Sequence, residues 1–113
     1  AISQKDVEFI ERVNTILSEL LADESCSIDL LAEQMNMSRS NLHLKLKAIT
    51  GESTIDFIRK IRFNEAAKLL KDGRYTIAEV STMVGFNTPS YFATSFKKYF
   101  GCLPTEYIKK IKG

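Results

Sequence analysis

The sequence predicts an all-α fold of about seven helices, built around a duplicated helix-turn-helix unit. Three observations carry that expectation. Apolar residues recur at threes and fours along most of the chain, and no stretch shows the alternation of a half-buried strand. Capping residues and glycine stops divide the chain into short helical segments. The segment Ile77–Gly101, IAEVSTMVGFNTPSYFATSFKKYFG, has a weaker counterpart at Ile28–Gly51.

Taken in order, Lys5 to about Ala22 is helical by period. Val7, Ile10, Val13, Ile16, Leu17, Leu20 and Leu21 form its inward stripe, acids occupy the other face, and Ser3 or Asp6 is the candidate cap. Asp23, Glu24 and Ser25 interrupt the pattern as a short loop. Ser27 or Asp29 starts a second helix reaching about Met35, with Leu30, Leu31 and Met35 inward and the small Ala32 where a partner helix can approach closely. Asn36 tolerates the left-handed backbone of a sharp turn. Ser38 caps a third helix to about Ile49, and Gly51 stops it. Ser53 or Thr54 caps a long helix to about Lys71, with Ile55, Ile58, Ile61, Arg62, Ala66, Leu69 and Leu70 inward. Thr76 caps a helix to about Val84, Gly85 makes the turn, and Thr88 caps the next helix with Pro89 at its first position. That helix ends at Gly101, and Pro104 precedes a last helix over Thr105 to Lys112.

The repeat can be aligned residue by residue. Ile28, Ala32, Met35, Asn36 and Met37 match Ile77, Ser81, Val84, Gly85 and Phe86 at an offset of 49. Leu42, Leu46, Lys47 and Gly51 then match Phe92, Phe96, Lys97 and Gly101 at an offset of 50, so the second copy has one added residue near the turn. Each unit reads as a helix with a small residue for close crossing, an awkward turn residue, an apolar plug and a capped second helix. At ~100° per residue, Leu42, Leu46 and Ile49 share one side of the first copy's second helix. Ser40, Leu44 and Lys47 lie opposite, with His43 at the margin. In the other copy Phe92, Phe96 and Tyr99 face inward, and Phe86, Tyr91, Phe92, Phe96, Tyr99 and Phe100 are expected as a core cluster. Ser90, Thr94 and Lys97 lie opposite, with Ala93 at the margin. Neither outward set contains an acid, as a merely solvated face more often would.

Composition bounds the alternatives. The chain has 113 residues and 44% hydrophobic content, enough for one compact domain or two very small ones. No apolar run approaches the ~18 residues of a membrane helix, and the start, which lacks a leader pattern and an initiator Met, reads as part of a longer or processed protein. Cys26 and Cys102 form no metal-binding spacing and are expected as free buried thiols of a reducing, cytoplasmic protein. One His, no phosphate-cradling glycine loop and no metal motif argue against an enzyme, a metal site or a cofactor. Net charge is +2 but polarised: residues 1–37 hold two basic and eight acidic groups, and residues 38–113 hold 14 basic and six acidic groups. A basic body suits phosphate, with the acidic lead facing away. The rival class is a helical protein-interaction module in which the acidic lead docks a partner.

The strings RKIRFNEAAKLL, IAEVSTMVGF, SYFATSFKKYFG and PTEYI, in that order and spacing, resemble the DNA-binding domain of AraC/XylS-type bacterial transcription regulators. The lead segment and SRSNLHLKLKAITG are similar to the C-terminal output domains of hybrid two-component regulators of Bacteroidetes. The resemblance spans about residues 10–110 and implies two helix-turn-helix subdomains joined by a linker helix. The division expected is an acidic helix over 1–25 leading from an upstream sensor or receiver domain, a first helix-turn-helix over 26–53, the linker over 54–72, and a second helix-turn-helix with a C-terminal helix over 73–113. The implied partner is double-stranded DNA, read by two helices in successive major-groove segments, with RNA polymerase as a possible further partner and no membrane contact.

Ser40, His43, Leu44 and Lys47 are the candidate base readers of the first unit, and Ser90, Ala93, Thr94 and Lys97 those of the second. Leu44 is either a contact for a thymine methyl or a contact for a domain outside this chain. The short side chains of the second set suit backbone grip and shape reading. Ser38, Arg39, Lys45, Thr54, Thr88, Tyr91 and Lys98 are the phosphate candidates, the caps Ser38, Thr54 and Thr88 because they open helices whose free N–H groups attract anions. The resemblance makes Arg62 a structural residue bound to a helix end or an acid.

Overall fold

Apolar spacing and caps resolve into seven helices in the computed structural model, which describes residues 2–21 and 28–112. They are α1 (Gln4–Leu20), α2 (Ile28–Gln34), α3 (Arg39–Thr50), α4 (Thr54–Asp72), α5 (Ile77–Met83), α6 (Pro89–Phe100) and α7 (Pro104–Lys112). There is no strand among the described residues. The loop expected at Asp23–Ser25, the cap Ser27 and the thiol of Cys26 lie outside them. Cys102 is a free, buried thiol.

The described residues divide into two units, residues 2–21 with 28–61 and residues 62–112. Each unit has its own core. In the first, Phe9, Val13 and Leu17 of α1 are buried with Leu31 and Ala32 of α2, Leu42 and Leu46 of α3, and Phe57 and Ile58 of α4. The apolar stripe of the acidic first helix is therefore core. Val7, expected inward, is exposed, and Phe9 takes its place because the buried positions step by four through Val13 and Leu17 to Leu21. In the second unit Phe63, Ala66 and Leu70 are buried with Val80, Val84, Phe92 and Phe96, and Tyr107 and Ile108 of α7 pack against them.

One correction concerns α4. Ile55 is 56% exposed, not inward. Eleven residues separate Ile55 from Ala66, a net rotation of only ~20° at ~100° per residue. Ile55 therefore shares a stripe with Ala66, but that stripe is covered only where the second core lies, from Phe63 onward. Phe57 and Phe63, absent from the expected stripe, serve the two cores instead.

The two turns close alike. Asn36 (φ 56°) and Gly85 (φ 88°) both adopt the left-handed conformation, which Gly reaches without strain and Asn more readily than most residues. Asn36 N–H donates to Glu33 O at 3.0 Å and Met37 N–H to Ala32 O at 2.9 Å. Gly85 N–H donates to Thr82 O at 3.1 Å and Phe86 N–H to Ser81 O at 2.9 Å. Each is a Schellman closure, and in each the carbonyl taken by the plug residue belongs to the small buried residue of the first helix. The repeat also extends to the preceding helix. Arg12 of α1 donates to Gln34 O at the end of α2 (3.5 Å), and Arg62 of α4 donates to Val84 O at the end of α5 (2.6 Å), both across 22 residues. Arg62 is thus a helix-end residue, as expected.

The second unit carries one further device. Thr76 Oγ1 accepts from Glu79 N–H at 3.1 Å, and the Glu79 carboxylate accepts from Thr76 N–H at 2.9 Å. This capping box holds the Glu79 carboxyl below its ordinary range, chiefly through the backbone hydrogen bond to Thr76. A lowered native value contributes stability that is present above the unfolded-state pKa and is lost as pH falls through the native one. Glu79→Gln, which keeps the geometry, is expected to flatten that part of the acid limb in a stability-against-pH series; an identical acid limb in wild type and variant contradicts the assignment.

Candidate nucleic-acid interface

The second helix of each unit is fixed at both ends. Ser38 Oγ accepts from Asn41 N–H and Thr88 Oγ1 from Tyr91 N–H, both at 3.1 Å. At the other ends, left-handed Gly51 and Gly101 donate to Lys47 O (2.9 Å) and Lys97 O (2.7 Å). Leu42 and Leu46 anchor α3 in the first core, and Phe92 and Phe96 anchor α6 in the second. With rotation and both ends set, the opposite faces are set too. The added residue of the second copy is Asn87, between the plug Phe86 and the cap Thr88.

On α3, Ser40, Leu44 and Lys47 are exposed and His43 is half-buried. On α6, Ser90, Thr94 and Lys97 are exposed and Ala93 is half-buried. Neither helix contains a single Asp or Glu. Thr94 Oγ1 donates to Ser90 O at 3.1 Å, so its proton is engaged and the face it presents is a lone pair and a methyl group. Ser38 and Thr88 are the converse case. Their oxygens accept within the helix, which leaves the hydroxyl protons directed elsewhere.

The phosphate candidates are placed less evenly. Arg39 pairs with Asp29 at 3.4 Å, an exposed contact of the kind worth about 0–1 kcal/mol and readily exchanged for another anion. The Lys45 ammonium lies 4.6 Å from the Phe9 ring centroid, on the α1 flank of α3. Lys98 is exposed. Tyr91 is 64% exposed, so it is not part of the core, although its ring lies 5.6 Å from that of Phe86. Tyr99 is also more exposed than expected and stacks one face on Phe63 at 4.8 Å.

Thr54 requires a correction. It is 2% exposed and its hydroxyl is buried with no hydrogen-bond partner. The cap of α4 is Ser53, whose Oγ accepts from Asp56 N–H at 3.1 Å and whose carbonyl accepts from Phe57 N–H at 2.9 Å. Thr54 is therefore the first helical residue, turned inward, and its hydroxyl is out of reach of a phosphate.

Sequence reasoning missed one feature. Ile28, Ser40, His43, Leu44 and Ile55 line a single groove of about 470 Å³, with Arg39 also at its wall. The exposed Leu44 signals it, but helical periodicity places Ile55 in the interior. Among the described residues no group of His, Cys, Asp and Glu side chains could hold a metal ion, and no helix is long and apolar enough to cross a membrane.

Residues 31–110 match the family model described as a helix-turn-helix domain. The chain is 32% identical over 106 residues to "Histidine kinase P4" of Formosa agariphila, covering 94% of this chain and 8% of that protein. It is 33% identical over 88 residues to the "Msm operon regulatory protein" of Streptococcus mutans, covering 78% of this chain and 32% of that protein. The chain thus spans less than a tenth of the first relative's length and about a third of the second's. Its fold matches the C-terminal domain of the two-component response regulator yesN from Fusobacterium nucleatum with a TM-score of 0.80 and 28% identity, covering 89% of this chain and 98% of that one.

Proposed function

The chain belongs to the AraC-type helix-turn-helix family of DNA-binding transcription regulators, and from that premise we propose how it reads double-stranded DNA: α3 and α6 enter successive major-groove segments, as the output module of a longer regulator. The observation that carries the proposal is the pair of acid-free outward faces, each held behind a Schellman turn and a hydroxyl cap. On α3, Ser40, His43, Leu44 and Lys47 face the base edges, Lys47 contributing charge rather than base identity. On α6, the short side chains of Ser90, Ala93 and Thr94, with Lys97, follow groove shape more than base identity.

Arg39, Lys45, Tyr91 and Lys98 hold backbone phosphates, joined by the hydroxyl protons of Ser38 and Thr88. The acidic N-terminal helix leads from an upstream sensor or receiver domain and, carrying the negative charge, faces away from the duplex. RNA polymerase is a further partner under this reading, the compartment is the cytoplasm, and the chain performs no catalysis.

Selection from a random duplex pool tests this. Two half-motifs about one helical turn (~34 Å) apart are expected, the α3 half more sharply defined. Recovery of no motif, or of a single one with no second half, rejects the paired arrangement. The roles on α3 are separable by variants. Lys47→Ala is expected to weaken binding to all duplexes alike, whereas His43→Ala and Leu44→Ala change which sequences are selected. Equal losses on selected and random duplexes for all three variants would remove that division.

A further inference from the structure

Two large apolar side chains stand out on a surface otherwise suited to a polyanion. Leu44 is 65% exposed on the outward face of α3, and Ile55 is 56% exposed in the first turn of α4. They come from different helices but line one groove, together with Ile28, Ser40 and His43. Leu44 lies on α3 opposite buried Leu42 and Leu46, and Ile55 lies on a stripe of α4 whose covering core begins only at Phe63. We infer that Leu44 and Ile55 together form an apolar reader of thymine 5-methyl groups, so that the linker helix supplies a base-specificity residue to the first recognition unit.

The occupant follows from chemistry. The apolar group that a base pair presents in the major groove is the C5-methyl of thymine. The groove shares Ser40, His43 and Leu44 with the reading face of α3, so a duplex on that face lies against the groove. Its charged wall is Arg39, and no acid lines it, which matches a phosphate-flanked edge rather than a neutral or basic surface. A protein domain seated in the groove would displace DNA from α3. The inference rests on the proposed reading that α3 enters the major groove. It adds a chemical class of base contact and a residue, Ile55, from outside the helix-turn-helix.

The test uses the whole chain and a duplex recovered by selection, with each thymine of the α3 half-site replaced singly by deoxyuridine. One or two positions are expected to lose about four-fold in affinity, the effect of withdrawing one methyl group from an apolar contact. Ile55→Ala and Leu44→Ala are each expected to remove that difference, thymine and uracil duplexes then binding equally, with the salt dependence unchanged. Ile55→Val retains part of it. Both residues are exposed, so folding should persist, and an unaltered helical melting curve establishes that it does. Salt-sensitive binding with a flat uracil scan overturns the inference and leaves α3 as a reader. Equal losses on thymine and uracil duplexes in Ile55→Ala also overturn it. Absence of any salt-sensitive complex defeats the underlying reading instead. If Leu44 and Ile55 substitutions leave DNA binding untouched, the groove belongs to a protein surface and the inference fails.

Discussion

Replacing Phe63 with Ala is expected to cost the second unit about 3–5 kcal/mol, the range for removing a fully buried aromatic ring. Phe63 is 1% exposed. Its ring centroid lies 4.8 Å from Tyr99, 5.7 Å from Phe86, 6.1 Å from Phe100 and 6.2 Å from Phe96. Those partners come from the plug of the turn and from the C-terminal end of α6, so the cavity would sit where α4 holds the helix-turn-helix together. Small domains have total stabilities of only about 5–15 kcal/mol, and this unit of some fifty residues belongs at the low end. The measurement is simplified by the sequence. All four tyrosines, Tyr75, Tyr91, Tyr99 and Tyr107, lie in the second unit, and there is no Trp. Tyrosine fluorescence or near-ultraviolet dichroism in a urea titration therefore reports that unit. Tyr91→Ala, at an exposed site, is the control and should cost well under half as much. A Phe63→Ala loss below about 1 kcal/mol would show that this ring is not the centre of the second core.

The second large effect is the response of DNA binding to salt. Arg39, Lys45, Lys47, Lys97 and Lys98 are the cations of the two reading helices. If each neutralises one phosphate, the slope of log affinity against log salt is about −4.5, and affinity falls roughly 500-fold between 50 and 200 mM monovalent salt. Lys47→Ala with Lys97→Ala should make the slope shallower by about 1.8, because two counterion releases are removed. Arg39 is a sharper case. Its exposed pair with Asp29 must be exchanged for a phosphate, so Asp29→Asn should strengthen binding modestly and leave the number of released counterions the same. A slope near zero for the wild-type chain would contradict phosphate-driven binding. A slope much steeper than −5 would bring in cations beyond the two helices, with Lys109, Lys110 and Lys112 at the end of α7 the first to examine.

Much of this architecture is legible in the sequence. Caps and stops are local chemistry: whether Ser38, Thr76 or Thr88 accepts the N–H three residues on depends on a few neighbouring dihedrals, and the residue type reports it directly. The left-handed turns were legible at Asn36 and Gly85 for the same reason. The outward faces of α3 and α6 followed from the buried leucines and phenylalanines on the other side. The repeat is legible from Ile28 and Ile77 onward. Its earlier part is not, because the apolar residues of α1 and α4 differ and their shared feature, Arg12 and Arg62 each donating to a helix end 22 residues on, is a tertiary contact.

What the residue order determined by itself was therefore the set of helices, the duplicated turn and the acid-free faces, since each rests on short-range spacing, while the family came from the resemblance of its motifs. Tertiary structure decided how far each apolar stripe is covered. One wheel describes α4, but two cores claim different parts of it, so Phe57 and Phe63 are buried while Ile55 is left to solvent. Thr54 is likewise turned inward, and the capping falls to Ser53. Periodicity reports which residues share a side of a helix. Whether another helix lies against that side is set by packing across tens of residues, and here that packing brought Leu44 and Ile55 to one groove.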